Sequence, residues 1–170
     1  MIHPGAKGFY PGKHGSMPLH SHVEVTETYT VVSGRGGVAL NGQEMEISAS
    51  NGELVIPPGV VHTVWNADEE VPLVLSLTCN PPGPLGESFF LTQASPTVTH
   101  AHADAGVSYD AGSLPEVNPL QIILLYSEAG VVLADLPPAL WRLVEPPLAW
   151  FARTVGYRHQ YPQYAAAAAA

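Results

Sequence analysis

The 170-residue chain sets six Lys and Arg against fifteen Asp and Glu, a net charge of -9, and is 46% apolar with only 12% charged residues. Its cations, Lys7, Lys13, Arg35, Arg142, Arg153 and Arg158, form no basic stripe that could neutralise a phosphate backbone, which argues against nucleic acid and an anionic membrane surface as partners. The single cysteine, Cys79, excludes an internal disulfide and reads as a small buried hydrophobe. The opening residues lack the apolar run of a secretory signal, so a cytoplasmic location is expected. One domain accommodates this length, and so dry a composition leads us to expect apolar surface buried against a second copy, as a homodimer.

From His20 to Leu77 the chain alternates short apolar segments with turn residues. Tyr29 to Ser33, Gly37 to Leu40, Leu54 to Pro57, Val60 to Trp65 and Val71 to Leu77 read as consecutive antiparallel strands rich in Val, Ile, Thr and Tyr. Ser33-Gly34-Arg35-Gly36-Gly37, Asn41-Gly42 and Ser50-Asn51-Gly52 supply the positive-φ positions that tight turns need. Residues 85 to 117 read as an irregular crossing segment anchored by Phe89-Phe90-Leu91. From Asn118, an N-cap followed by Pro119, the period turns helical and an apolar helix is expected from Leu120 to Leu136. Gln121, Ser127, Glu128 and Asp135 interrupt that run, which is too short for a membrane span. A second helical stretch carries Leu140, Trp141, Val144, Leu148, Trp150 and Phe151, with Pro146-Pro147 expected to break it and Gly156 to stop it. The alanines from Ala165 to Ala170 carry no chemical information.

Chemistry concentrates in His20-Ser21-His22-Val23-Glu24-Val25-Thr26-Glu27. Two imidazoles two residues apart on a strand share a face. Glu24 has the parity of the two histidines, whereas Glu27 opens the next alternation, Tyr29 and Val31, and reaches the same place after a short bend. His62 follows a Pro-Gly turn and offers a third imidazole from a neighbouring strand. Three imidazoles and a carboxylate suit one divalent transition metal ion, Fe, Mn, Ni, Cu, Co or Zn. An octahedral ion would keep two positions for substrate or water, and a four-coordinate zinc would keep none. His100-Ala101-His102 with Asp104 forms a second group, read as a solvated loop because no third anchored partner accompanies it. His3, His14 and His159 are expected at the surface.

The spacing His20-x-His22, Glu27, Gly34 resembles the first cupin motif, and Gly52, Pro57-x-Gly59-x-x-His62-x-x-x-Asn66 resembles the second. This resemblance implies a mainly β fold, a cupin double-stranded β-helix or jelly-roll barrel with short C-terminal α-helices. It also favours Glu27 over Glu24 and implies the ligand set His20, His22, Glu27 and His62. On this reading residues 1–95 are the barrel, 96–164 are a crossing segment and helical extension of the same domain, and 165–170 are an uninterpretable tail. Tyr29, Val31, Val64 and Asn66 would line the cavity, with Tyr29 the candidate catalytic proton donor, and Trp65, of opposite parity, would pack under the helices. The expected function is a metal-dependent enzyme, an oxygenase or an isomerase, cyclase or lyase, acting on a small apolar or aromatic molecule. A non-catalytic binding or sensing module with a structural metal is the alternative.

Overall fold

The computed structural model describes residues 2–5, 8–13, 15–81 and 119–158. Among the described residues the strands are β1 (His20–His22), β2 (Thr26–Ser33), β3 (Arg35–Leu40), β4 (Gln43–Ser48), β5 (Glu53–Ile56), β6 (His62–Asn66), β7 (Val74–Asn80) and β8 (Val131–Leu133). Helix α1 (Pro119–Glu128) precedes β8, and α2 (Pro138–Thr154) follows it. The strands form a five-stranded sheet ordered β4-β3-β6-β1-β8 and a three-stranded sheet ordered β5-β2-β7, all pairings antiparallel. This is the mainly β fold that the alternation predicts.

The two sheets meet through their inward side chains. Tyr29 and Val31 of β2 and Ile56 of β5 pack with Val38, Ile47 and Val64 of the larger sheet, joined by Ile2 and Leu73. In β2 Glu27, Tyr29 and Val31 are the buried residues, so the alternation that carries the core also carries the carboxylate. A second cluster forms under the helices from Val25, Leu125, Tyr126, Ala129, Val131 and Trp141, and Ile122 packs against both clusters. Helix α1 thereby covers the end of the sandwich. Among the described residues no helix is long and apolar enough to cross a membrane.

Several elements depart from the sequence reading. Strand β4 was not expected: its Glu44, Met45 and Glu46 are exposed and only Ile47 is fully buried, so the apolar signal of a half-buried strand is nearly absent. The last strand of the β half begins at Val74 rather than Val71, since Asp68 accepts the Glu70 and Val71 amides into a turn first. The helix expected to run to Leu136 stops at Glu128. Gly130 then takes φ +62, a conformation that suits glycine, and the chain continues as β8. Helix α2 runs through Pro146 and Pro147 instead of breaking there. The carbonyls these prolines cannot bond belong to Arg142 and Leu143, which are exposed to water, while Trp141, Ala149 and Ala152 anchor the opposite face. The crossing segment, His100, His102 and Asp104, His14, His159 and the alanine tail lie outside the described residues; His3 is exposed.

Trp65 has the predicted outward parity but a different partner. Its indole stacks at 5.8 Å against Tyr10 and lies 4.6 Å from the Lys13 ammonium, on the face away from the helices. Asn66 does not line a cavity with His62. Its amide donates to the Ile2 and Val71 carbonyls and its oxygen accepts the Asp68 amide, so it ties the N-terminal arm to the β6–β7 turn.

Candidate metal centre

The site straddles the two sheets. His20 and His22 project from β1, His62 from β6, and Glu27 reaches them from β2 across the sandwich. His20 and His62 are direct cross-strand partners, which places their rings side by side with centroids 4.4 Å apart. His22 completes the triangle at 5.0 Å from the His20 ring and 5.4 Å from that of His62. One donor atom from each of the four residues lies within 4.8 Å of all the others. Opposite donors of one ion at about 2.1 Å stand about 4.2 Å apart, so small side-chain rotations close the set. Exposure is 7% for His20, 3% for His22 and Glu27, and 1% for His62.

The hydrogen bonds fix which ring nitrogens face inward. The Nδ1 of His20 lies 2.8 Å from the Pro18 carbonyl and that of His62 lies 2.9 Å from the Val60 carbonyl. A carbonyl only accepts, so each Nδ1 carries a proton and each ring turns its Nε2 toward the cluster. Burial, with the neighbouring His62 and His22, lowers the His20 pKa to about 3, which keeps that ring neutral. The His62 Nε2 meets Glu27 Oε2 at 3.0 Å. A lone pair facing a carboxylate oxygen at that distance requires either a proton or a cation between them.

His22 is the clearest test of whether an ion fits. Both of its ring nitrogens are buried without a hydrogen-bond partner, and its Nε2, 3.2 Å from Glu27 Oε1, is close enough for an ion pair but not aligned for a hydrogen bond. Buried polar atoms are nearly always satisfied, and a cation shared by four converging donors would satisfy this one. Burial alone would raise the Glu27 carboxyl. The His22 and His62 rings outweigh that effect and hold it below the usual carboxylate range, as an anion ready to ligate.

Tyr29, the candidate proton donor, donates a hydrogen bond from its hydroxyl to Glu27 Oε2 at 2.9 Å. Burial and the Glu27 charge push its phenol well above the usual range, so the proton stays on. The contact holds one carboxylate oxygen and leaves Oε1 toward His22. Tyr29→Phe should therefore weaken metal binding by about tenfold without abolishing it, since a hydrogen bond to a charged group contributes about 1.5–3 kcal/mol. Competition with a chromophoric chelator measures this, and unchanged affinity would remove Tyr29 from the centre.

Cross-strand register identifies the walls. Ile56 and Cys79 flank Glu27, Leu54 and Leu77 flank Tyr29, and Leu133 stands beside His20. Cys79 was read only as a buried hydrophobe; it is half-buried, and burial and the Glu27 charge raise its thiol to about 11. Its place beside Glu27 follows from pairing that the sequence alone does not show. Glu24 is exposed on the bend between β1 and β2 and takes no part.

The family model described as "Cupin domain" matches residues 8–79. Among solved structures, the chain is similar to an uncharacterized conserved protein with a double-stranded beta-helix domain from Klebsiella pneumoniae, at 27% identity over 38% of this chain and 54% of that one, with a TM-score of 0.33. It is similar to a cupin protein from Bacteroides fragilis at 27% identity over 45% and 54% of the two chains, TM-score 0.34. A capsular polysaccharide assembling protein from Staphylococcus aureus aligns at 24% identity over 38% of this chain and 21% of that chain, TM-score 0.35. The matched region thus spans about half or less of each relative. Comparison with curated proteins gives no match. The model match encloses all four converging donors, and residues 8–79 of this chain are a cupin domain.

Proposed function

We propose that the chain is a metal-dependent enzyme whose single divalent transition metal ion is held by His20, His22, Glu27 and His62, and whose substrate is a small, uncharged, apolar or aromatic molecule. The observation that carries this reading is the convergence of four buried donors, one of them a histidine with no hydrogen-bond partner for either ring nitrogen. When bound, such an ion supplies Lewis-acid or one-electron chemistry, suited to an oxygenase or to isomerisation, cyclisation or elimination.

The chain's own residues set the rest. Tyr29 fixes the carboxylate, and Ile56, Leu77 and Leu133 give an apolar surround that disfavours water and charged groups. Described cations stand elsewhere: Lys13 pairs with Glu44, Arg35 with Asp68 and Arg153 with Glu128, while Arg142 and Arg158 are exposed. Among the described residues, therefore, none is placed as a counter-charge for a phosphorylated substrate.

A second reading, a non-catalytic binding or sensing module with a structural metal, draws support from the near-complete burial of the ligands. Metal analysis of untagged protein followed by azide titration of the Co2+-loaded form separates the two. Near-stoichiometric metal whose visible spectrum responds to azide shows an open coordination position and favours the enzyme. A spectrum indifferent to azide favours the structural metal, and absence of metal under all loading conditions removes both readings.

A further inference from the structure

We infer that strand β8 and the Trp141 that anchors it, both outside the cupin span, are working parts of the metal centre because they position His22. The inference rests on the metal reading above. Of the three histidines, His20 and His62 are oriented by hydrogen bonds from their own Nδ1 atoms to backbone carbonyls. His22 has no such restraint on its ring. Apart from the 3.2 Å approach of its Nε2 to Glu27 Oε1, its position comes from its backbone and from what packs beside it.

Both lead to β8. The pairing sets His20 opposite Leu133, Ser21 opposite Val132 and His22 opposite Val131. It continues past the strand ends, where the Val23 amide donates to the Gly130 carbonyl at 3.2 Å and the Ala134 amide to the Leu19 carbonyl at 2.8 Å. Hydrogen-bonded pairs alternate along an antiparallel ladder, so these two place His22 and Val131 at a non-hydrogen-bonded position, where side chains approach most closely. Val131 is 3% exposed, and the register sets its side chain on the same face as the imidazole. On the other flank β1 meets β6 only at His20 with His62, besides the Gly59 amide donating to the His22 carbonyl at 2.8 Å. The longer of the two attachments that hold this three-residue strand comes from the C-terminal segment.

Trp141 locks β8 in turn. It is 5% exposed on α2, and its indole Nε1 donates to the Val131 carbonyl at 3.1 Å. A chain of contacts thus runs from α2 through Trp141 and Val131 to His22. Trp141 touches no metal donor, and its role is that of a positioning residue. Reciprocity follows: if docking of β8 raises metal affinity by some factor, metal binding raises docking of β8 by the same factor.

The test uses the whole chain and Co2+ as probe. Co2+ affinity is measured by visible absorption with chelator competition for wild type, W141F and H62A, the last marking loss of a ligand. Hydrogen exchange of the Val131–Ala134 amides in wild type is followed with and without Co2+. W141F is expected to bind about 10–100-fold more weakly, the usual loss when a partner behind a ligand is removed. Exchange at Val131–Ala134 is expected to slow by a similar factor on loading. If wild type binds Co2+ and H62A does not, but W141F binds as wild type and Val131–Ala134 exchange ignores the metal, the inference is overturned and the metal reading stands. If wild type and H62A both fail to bind, the metal reading falls and this inference with it. Should W141F fail to fold, exchange in wild type decides alone.

Discussion

His62→Ala is expected to empty the centre, with metal content falling from near-stoichiometric to background. His62 contributes more than one donor. Its ring is 1% exposed, is oriented through Val60, and faces the Glu27 carboxylate that a metal would share with it. Truncation removes a ligand, opens a cavity beside Glu27 and leaves that anion with His22 and Tyr29 as its remaining polar neighbours. Affinity should fall by more than the roughly 10–100-fold that follows loss of a partner behind a ligand. Stability without metal should fall too, by about 3 kcal/mol, the cost of leaving the buried Glu27 carboxylate short of a hydrogen-bond partner. Elemental analysis and thermal unfolding of the stripped protein read the two effects separately. His3→Ala, at an exposed histidine remote in sequence from the ligands, should change neither. Equal metal content in wild type and His62→Ala would refute the four-residue centre.

The candidate site was the most legible part of the chain because strand parity and motif spacing act on the same residues. His20 with His22, and Glu27 with Tyr29 and Val31, fall on buried faces as a period of two requires. Parity alone could not choose between Glu24 and Glu27; the bend after His22 reset the alternation, and only the motif spacing anticipated that. Illegible elements share a different cause, namely that their conformation is decided by what they pair with. Strand β4 shows charged residues outward and a single buried Ile47, and it exists because β3 offers a full ladder from Arg35 to Leu40. Strand β8 is three residues inside an apolar run whose composition suits a helix equally well, and Gly130 is its one local signal. The strand pairs with the edge of β1 left open beside β6, so that edge is closed from within the chain. The prolines of α2 mislead for the same reason, since packing of Trp141, Ala149 and Ala152 outweighs a local breaking signal.

Gly37→Ala should have the largest effect on stability while sparing the metal. Gly37 and Trp65 are cross-strand partners in β3 and β6, and the indole lies across the glycine. A Cβ added at Gly37 would fall 2.2 Å from two carbons of that ring, far inside contact distance. Neither strand can retreat, because β3 is paired on both sides, to β4 and β6, and β6 continues to β1. The indole must therefore swing out, breaking its stacking with Tyr10 and its contact with Lys13, and the N-terminal arm loses its anchor on that face. Overpacking of this kind costs about 1–3 kcal/mol, and loss of the aromatic contacts places Gly37→Ala at about 3 kcal/mol. For a chain of this size that lowers Tm by roughly 6–12 °C. The donors are on the other side of the sheet: His62 and Val64 point inward from β6 while Trp65 points out. Metal stoichiometry should stay at the wild-type value, and loading should add the same stabilisation free energy to both proteins, since that depends on metal concentration and affinity. A variant that loses both stability and metal would show that the outer face of β6 also governs the ligands within. An unchanged Tm would mean that the indole does not rest on Gly37.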